Sequence, residues 1–266
     1  MVRRLIEDLV LAFGFLTRLP MPAIEVREGR KLAEAFWAFP LAGLIVGLIA
    51  GGVLWVCLWL DLGKAIAATV ALSTLALLTG AMHEDGLADF WDGLGGGRTR
   101  ERKLEIMRDS HIGTYGVLAL VLSYLALLAL LAELSHLLTS WLPAHSVRPF
   151  SGAYIIVFVA VSAMLSRAMI ALPAMFLPIA REDGLAKLFG RPGLSVLLIS
   201  LLWPITLAAI VLQLHAIPLI IGSMIGSVIN VVLAWRYLGG VTGDVFGASI
   251  MTSFIGGLLA VTAWLS

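Results

Sequence analysis

The stretch AFWAFPLAGLIVGLIAGGVLWVCLWL, residues Ala35–Leu60, contains no charged side chain. An α-helix rises about 1.5 Å per residue, so about 20 apolar residues cross a hydrocarbon core about 30 Å thick. Lipid offers no hydrogen-bond partner to backbone N–H and C=O groups, and a helix pairs these groups internally. This stretch therefore predicts a transmembrane helix.

Six more windows of similar length also lack Asp, Glu, Lys and Arg. They are Ala65–Met82, Gly113–Ala132, Pro149–Ser166, Gly193–Leu214, Ala216–Trp235 and Val245–Leu265. The whole chain is 60% apolar and 13% charged, with a mean hydropathy of +1.00, whereas soluble proteins carry roughly 25% charged residues. We therefore predict an all-α, polytopic integral membrane protein with about seven transmembrane helices, built as a single catalytic domain over residues 1–266.

An amphipathic pattern precedes the first window. Apolar residues recur there at helical spacing beside charged ones, which is typical of a helix that lies along the lipid headgroups. The apolar stretch is too short for a cleavable signal peptide and lacks a small-residue cleavage site. We predict an N-terminal interfacial helix whose apolar side is formed by Leu5, Ile6, Leu9, Val10, Phe13 and Leu16.

Net charge and cysteine content argue against two further kinds of site. The net charge of +1 gives no overall electrostatic reason to expect nucleic-acid binding. The single cysteine, Cys57, can form neither a disulfide framework nor a zinc site.

The distribution of Lys and Arg predicts the orientation of the chain, because cytoplasmic connections carry more of these residues than external ones. The N-terminal segment, residues 83–112, residues 167–192 and the last connection together hold sixteen, while the alternate connections hold only Lys64 and Arg148. This predicts a cytoplasmic N-terminus, cytoplasmic site loops, an external C-terminus and an odd number of spans.

The sequence HEDGLADFWDG, His83–Gly93, lies in the connection with the densest acidic charge in the chain. On a helix, Asp85, Asp89 and Asp92 fall at i, i+4 and i+7, within an arc of about 60°. Like charges this close destabilise a helix unless a cation neutralises them. Mg²⁺ typically takes one or two carboxylates together with substrate phosphates. The spacing therefore predicts that these three residues are Mg²⁺ ligands and catalytic residues acting on a phosphate-bearing substrate.

Glycines and basic residues follow the acidic cluster. Consecutive glycines let backbone N–H groups approach an anion closely, and Arg and Lys bind phosphates. The alternative is a solvated helix end in which the carboxylates pair with the neighbouring cations. We predict a phosphate-binding loop formed by Gly95, Gly96, Gly97, Arg98, Lys103 and Arg108, with His111 as a further substrate-binding residue.

A second motif, GGVTGDVFGA, spans Gly239–Ala248 at the start of the last window. It predicts that Thr242 and Asp244 contribute to the same site, because an ionisable group at the membrane boundary is a functional candidate. The alternative is helix capping, for which Asp is well suited. Arg167 and Arg181 either bind phosphate or set the topology. His83 is either an acid–base group or a boundary residue.

These motifs together resemble the adenosylcobinamide-GDP ribazoletransferase, or cobalamin synthase, family. The resemblance is carried by Phe15–Pro20, Phe39–Leu41, His83–Gly116, Arg167–Ala168 and Gly239–Ala248. It implies a Mg²⁺-dependent enzyme of cobalamin biosynthesis in the inner membrane of a prokaryote. Its partners would be adenosylcobinamide-GDP and α-ribazole or α-ribazole 5′-phosphate, with GMP as the leaving group.

Two departures from the family pattern accompany the resemblance. Glu84 stands where the family commonly has an apolar residue, and no Glu follows Gly247–Ala248 within the next four residues. By analogy with membrane CDP-alcohol phosphotransferases, Asp89 is the residue expected to accept the proton.

Other classes give different expectations. A CDP-alcohol-type phosphotransferase acting on a lipid would use a cytidine donor. A transporter would carry ionisable residues inside its spans, and the seven windows carry none. A scaffold would not need paired Asp and Gly motifs. The sequence leaves the oligomeric state open, including a homo-oligomer.

Overall fold

The structure is a computed structural model that describes residues 2–23, 31–140, 147–181 and 190–266. Over these residues the chain is helical and forms no strand, which confirms the predicted all-α class. The α-helices are α1 Val2–Leu16, α2 Phe39–Trp59, α3 Lys64–Thr79, α4 Met82–Gly96, α5 Arg100–Ile106, α6 Thr114–Ser140, α7 Val147–Ala168, α8 Ala171–Phe176, α9 Leu194–Leu212, α10 Ala216–Leu238 and α11 Gly243–Leu265. Short 3₁₀ helices at Leu32–Ala38 and Gln213–His215 precede α2 and α10.

Five helical stretches in the described part of the chain are long and apolar enough to cross a membrane, or six if the bent pair of α3 and α4 counts as one span. They are Leu32–Trp59, Thr114–Thr139, Ala153–Phe176, Leu194–Leu238 and Gly243–Leu265. The stretch Leu194–Leu238 has 45 residues, about twice the number that one crossing needs. It contains both α9 and α10, so its length suggests two crossings.

A turn divides this long stretch. Gln213 has a φ of 51° and begins the 3₁₀ helix between α9 and α10. It lines a pocket together with Leu138 and Leu265, which lie at the ends of α6 and α11. Since α10 then packs along α11 back to the start of that helix, the chain reverses at the turn. Division at Gln213 gives six crossings, and counting the bent pair of α3 and α4 as one more gives the predicted seven.

Close glycine contacts hold two helix pairs together. A Cβ at Gly43, Gly47 or Gly51 of α2 would overlap α7, and a Cβ at Gly222 or Gly226 of α10 would overlap α11. Small residues let helix backbones approach closely where lipid supplies no hydrophobic drive for association. These contacts fix α7 and α11 in the interior of the bundle.

Helix α1 lies against the bundle with its acidic residues inward. Glu7 and Asp8 are buried, and Trp37 Nε1 donates a hydrogen bond to Asp8 Oδ2 at 3.0 Å. The apolar side chains of Leu5 and Ile6 are exposed. The helix itself is present as predicted, but Leu16 of the predicted apolar side is buried and Leu9, Val10 and Phe13 are only partly exposed. Its position along the lipid headgroups stays a prediction.

The connection between α3 and α4 turns the chain by 89°. Gly80 and Ala81 both adopt left-handed conformations, with φ of 65° and 56°. Gly80 ends α3 in the manner usual for a helix C-terminus. Residues 83–112, which the sequence analysis treats as one connection, therefore begin with a packed helix. Arg27, Arg30 and Lys187, which entered the orientation prediction, lie outside the described residues.

Candidate active site

Helix α4 carries the predicted acidic triplet and packs against α6 and α11. Asp85 is exposed, Asp89 is partly buried and Asp92 is buried. The helical spacing predicted from the sequence is thus present. The three carboxylates nevertheless differ in burial and in the groups that they contact.

The second motif lies beside the first because two glycines bring α4 and α11 into backbone contact. A Cβ on Gly86 would lie 3.2 Å from the Cα atoms of Asp244 and Gly247, and one on Gly247 would lie 3.1 Å from the Gly86 Cα. Asp89 accordingly interacts electrostatically with Asp244 and with Asp85. The inferred adjacency of the two motifs is confirmed.

Asp244 lies in the first turn of α11, two residues after the N-cap residue, Thr242. The Thr242 hydroxyl accepts a hydrogen bond from the Val245 N–H at 3.4 Å and donates one to Asp244 Oδ2 at 3.1 Å. Arg181 Nη2 lies 3.4 Å from the same carboxylate oxygen. Thr242 therefore caps α11, and Asp244 belongs to the carboxylate cluster. We call Asp85, Asp89, Asp244 and Arg181 the site cluster.

Asp92 has a separate set of partners. Its Oδ2 accepts a hydrogen bond from the Gly113 N–H at 2.7 Å, and its Oδ1 accepts one from the Gly116 N–H at 2.8 Å. These N–H groups lie at the start of α6, where a helix leaves donors without internal partners. Asp92 therefore caps α6. Its role as a Mg²⁺ ligand stays a prediction, and a metal ion bound there would share oxygens that already accept backbone hydrogen bonds.

The glycine triplet has packing contacts that the sequence analysis did not anticipate. A Cβ at Gly95 would overlap the ring of Tyr115, and one at Gly97 would lie 2.6 Å from Lys103 Cγ. Gly96 is exposed. At Gly95 and Gly97 the absence of a side chain is thus explained by helix packing, and anion binding by this loop stays a prediction.

Lys103 is buried rather than available to solvent. Its Nζ donates hydrogen bonds of 2.6 Å to the carbonyl oxygens of Leu94 and Gly97. Burial lowers the pKa of the Lys103 ammonium group. This side chain satisfies carbonyls at the C-terminal end of α4, so in this structure the ammonium is not free for the phosphate contact predicted from the sequence.

The remaining polar residues of this connection lie at the surface. Arg98, Arg108 and His111 are exposed. His111 Nδ1 lies 2.7 Å from Asp109 Oδ1, and hydrogen bonds from His111 lower the pKa of Asp109. The structure does not place these three predicted residues among the contacts of the site cluster described above.

Arg167 lies in the interior of the bundle. It is buried, and its Nη1 donates a hydrogen bond to Ser166 Oγ at 3.0 Å. It borders a small cavity together with His83, Glu84 and Tyr124, and it interacts electrostatically with Glu84. The helix Ala153–Phe176 includes Arg167. The predicted window Pro149–Ser166 carries no charge, and the apolar stretch of the structure extends past it to include this charged residue.

A profile of the CobS family, described as cobalamin-5-phosphate synthase, matches residues 8–262. The chain belongs to this family. An adenosylcobinamide-GDP ribazoletransferase of Bradyrhizobium diazoefficiens is 41% identical, with 99% of this chain and 96% of that protein covered. Proteins of the same name from Mesorhizobium japonicum and Azorhizobium caulinodans are 36% and 39% identical, with 99% and 92% of this chain and 96% and 91% of those proteins covered. No solved structure matches the chain.

The site cluster of this CobS family member supplies some, but not all, of the oxygen ligands that a hard cation needs. Within the described ranges, no three His, Cys, Asp or Glu side chains are grouped closely enough to hold a metal ion by themselves. The oxygen donors of the site cluster suit Mg²⁺, which commonly completes its shell with substrate phosphates. The residues present therefore fit Mg²⁺ bound together with a phosphate-bearing substrate.

The sequence analysis missed three contributions to the site of this CobS family member. The sequence analysis leaves open whether Arg181 binds phosphate or sets the topology, and it treats Glu84 as a departure from the family pattern. Tyr124 was not singled out, yet its hydroxyl donates a hydrogen bond to Glu84 Oε1 at 2.8 Å. The available signal was the placement of Glu84 one residue before Asp85, which turns it about 100° around the helix, away from the Asp85 side chain.

Proposed function

We propose that this chain transfers the cobinamide phosphate of adenosylcobinamide-GDP to α-ribazole or α-ribazole 5′-phosphate and releases GMP. Membership of the CobS family and the names of the curated relatives support this activity. The observation that carries the proposal in the structure is the contact between Gly86 and Gly247, which brings Asp85 and Asp89 beside Asp244.

In this reaction, a ribose hydroxyl oxygen of the acceptor forms a bond to the cobinamide-proximal phosphorus. The bond from that phosphorus to the bridging oxygen of the diphosphate breaks, and GMP leaves with the electron pair. The hydroxyl proton passes to a carboxylate, for which we propose Asp89. Its partial burial beside Asp85 and Asp244 favours proton uptake, because a proton reduces repulsion among the three carboxylates.

The proposed magnesium site consists of Asp85, Asp89 and Asp244, with Asp92 as the further predicted ligand. Mg²⁺, when bound, would neutralise the diphosphate and stabilise the leaving phosphate. Arg181, which lies 3.4 Å from Asp244 Oδ2, supplies a positive charge for nonbridging phosphate oxygens. Phosphoryl transfer depends mainly on such positioning and charge stabilisation.

The proposed location is the inner membrane of a prokaryote, with the site on the cytoplasmic side. The ends of the described chain support an odd number of spans. Phe15 and Leu16 of α1 border the same pocket as Gly243, at the start of α11, whereas Leu265 borders the pocket at the Gln213 turn. The N-terminal helix and the end of α11 therefore lie at opposite ends of the bundle.

The test is GMP release by purified protein in detergent, supplied with adenosylcobinamide-GDP, α-ribazole and Mg²⁺. We expect Asp89→Asn to lower the rate at least about 100-fold, the size typical of a lost acid–base group. Asp61→Asn is the matched control, because Asp61 is exposed in the connection between α2 and α3.

Chelation of Mg²⁺ with EDTA is expected to stop GMP release by the unmodified protein, with activity returning on addition of Mg²⁺. Full activity of Asp89→Asn would refute the role of that residue. An inactive but folded unmodified protein that releases CMP from a CDP-alcohol donor would refute the proposed donor.

A further inference from the structure

A pocket opens beside the site cluster, between α1, α2, α4 and α11. Most of its wall is apolar, and aromatic side chains contribute from three helices: Phe15, Phe39 and Phe246. The rings of Phe15 and Phe39 are stacked, with centroids 6.2 Å apart and planes 20° from parallel. Such a wall suits a flat aromatic ligand.

His83 is the polar residue of this pocket that the carboxylate chemistry does not use. It is only 2% exposed, and neither ring nitrogen has a hydrogen-bond partner in the described part of the chain. Buried polar groups in native proteins are nearly always hydrogen-bonded, so an exception requires an explanation. His83 lies between this pocket and the small cavity beside Arg167, and a ligand atom in the pocket would supply the missing partner.

We propose that this pocket binds the benzimidazole base of α-ribazole and that His83 donates a hydrogen bond to the unsubstituted ring nitrogen of that base. The proposal rests on the proposed function, because α-ribazole is the acceptor in that reaction. It assigns to His83 a role in substrate recognition.

The position of the pocket agrees with this assignment. Asp85 and Asp244 belong both to the site cluster and to the lining of the pocket. A nucleoside whose base lies among the aromatic side chains therefore has its ribose close to these carboxylates. That is where the attacking hydroxyl must be.

The chemistry of the wall favours benzimidazole over the guanine of the donor. Guanine carries ring N–H and amine donors and several acceptors, and a buried polar group without a partner is costly. Apart from His83, the pocket side chains that could accept from these donors are the carboxylates of Asp85 and Asp244, and the proposed reaction assigns both to Mg²⁺. The methylated benzimidazole has a single free ring nitrogen and is otherwise apolar. Only His83 provides a nitrogen-bearing side chain among the lining residues, and it matches that single atom.

The experiment compares two acceptors in the GMP-release assay. One is the α-riboside of dimethylbenzimidazole, and the other is the α-riboside of dimethylindole, in which a C–H group replaces the free ring nitrogen. We expect the unmodified protein to show a KM about tenfold higher for the indole riboside, the size of one lost hydrogen bond. The KM for adenosylcobinamide-GDP should stay within twofold.

The variant His83→Phe keeps a ring of similar shape and removes the hydrogen bond. It is expected to raise the KM for the benzimidazole riboside about tenfold and to abolish the preference between the two ribosides. His136→Phe is the matched control, because His136 is exposed on α6, and it should keep the preference. Phe15→Ala removes part of the apolar wall, so it should raise the KM for both ribosides by the same factor.

Equal KM values for the two ribosides with the unmodified protein would overturn the inference without any variant having to fold. A preference that survives in His83→Phe would overturn the role of His83. A rise in KM for adenosylcobinamide-GDP alone would assign the pocket to the donor. Failure of the proposed function is distinct, because the unmodified protein would then release no GMP with either acceptor.

Discussion

At the scale of single residues, Asp92 and Asp89 share a helix face but differ in their partners. Asp92 accepts two backbone hydrogen bonds at the start of α6. An asparagine at this position would turn its amide NH₂ group toward one of those N–H donors, and that N–H group would then lack an acceptor. We expect Asp92→Asn to reduce the free energy of unfolding by about 1–2 kcal/mol, as is typical for a lost charge-assisted hydrogen bond.

Thermal unfolding of the purified protein in detergent measures this difference. Asp89→Asn is the contrasting variant, since it is expected to lose activity while keeping the unfolding midpoint of the unmodified protein. An unchanged midpoint in Asp92→Asn would show that the cap contributes nothing to stability.

Glu84 and Tyr124 form a second pair of interest at this scale. Glu84 Oε1 accepts the Tyr124 hydroxyl, and Glu84 Oε2 has no hydrogen-bond partner among the described residues. Tyr124→Phe removes a partner from a partly buried carboxylate, so we expect a loss of roughly 1–2 kcal/mol in the free energy of unfolding.

The matched control for this pair is Tyr115→Phe, the same chemical change at an exposed tyrosine. In the double variant Glu84→Gln/Tyr124→Phe the two losses should not add, because the first change already removes the interaction. Fully additive losses in thermal unfolding would contradict a direct interaction.

At the scale of helices, the contact between α4 and α11 assembles the site. A Cβ on Gly247 would lie 3.1 Å from the Gly86 Cα and 3.2 Å from the His83 carbonyl oxygen. Gly247→Ala must therefore push the two helices apart by a few tenths of an ångström. We expect at least a tenfold loss of kcat, since small displacements of reacting groups are costly.

Gly52→Ala is the control for this change, because a Cβ on Gly52 meets nothing within 4 Å. Both proteins should elute as folded species in size-exclusion chromatography. Unchanged kcat in Gly247→Ala would show that the separation of these helices does not limit the reaction.

The same helices show how far the sequence predicts the structure. Charge-free runs identify the spans, and the spacing of Asp85, Asp89 and Asp92 identifies one helix face, because both signals are local. The left-handed conformation of Ala81 and the burial of Lys103 depend on neighbouring helices. The sequence predicts that the Asp85 and Asp244 motifs lie on the same side of the membrane. It does not predict their direct contact, because that contact joins distant parts of the chain.

At the scale of the whole molecule, the fold separates its chemistry from most of its lipid-facing surface. The site cluster, the aromatic pocket and α1 lie at one end of the bundle, and the Gln213 turn and Leu265 lie at the other. Behind α4, the charged side chains of Glu84 and Arg167 interact electrostatically beside a small cavity. Under the proposed topology, the reacting groups face one aqueous side of the membrane, which suits large water-soluble substrates.

This separation predicts the location of the chain's ends across the membrane. Since α1 and Leu265 lie at opposite ends, a cytoplasmic site requires an external C-terminal end. We expect alkaline phosphatase fused after Ser266 to be active in the periplasm of a bacterial host, and green fluorescent protein at the same point to be dark. Fusions after Leu238, at the end of α10, should give the reverse pattern. A fluorescent fusion after Ser266 with a dark fusion after Leu238 would instead place the site cluster outside, and two fluorescent fusions would mean that α11 does not cross the membrane.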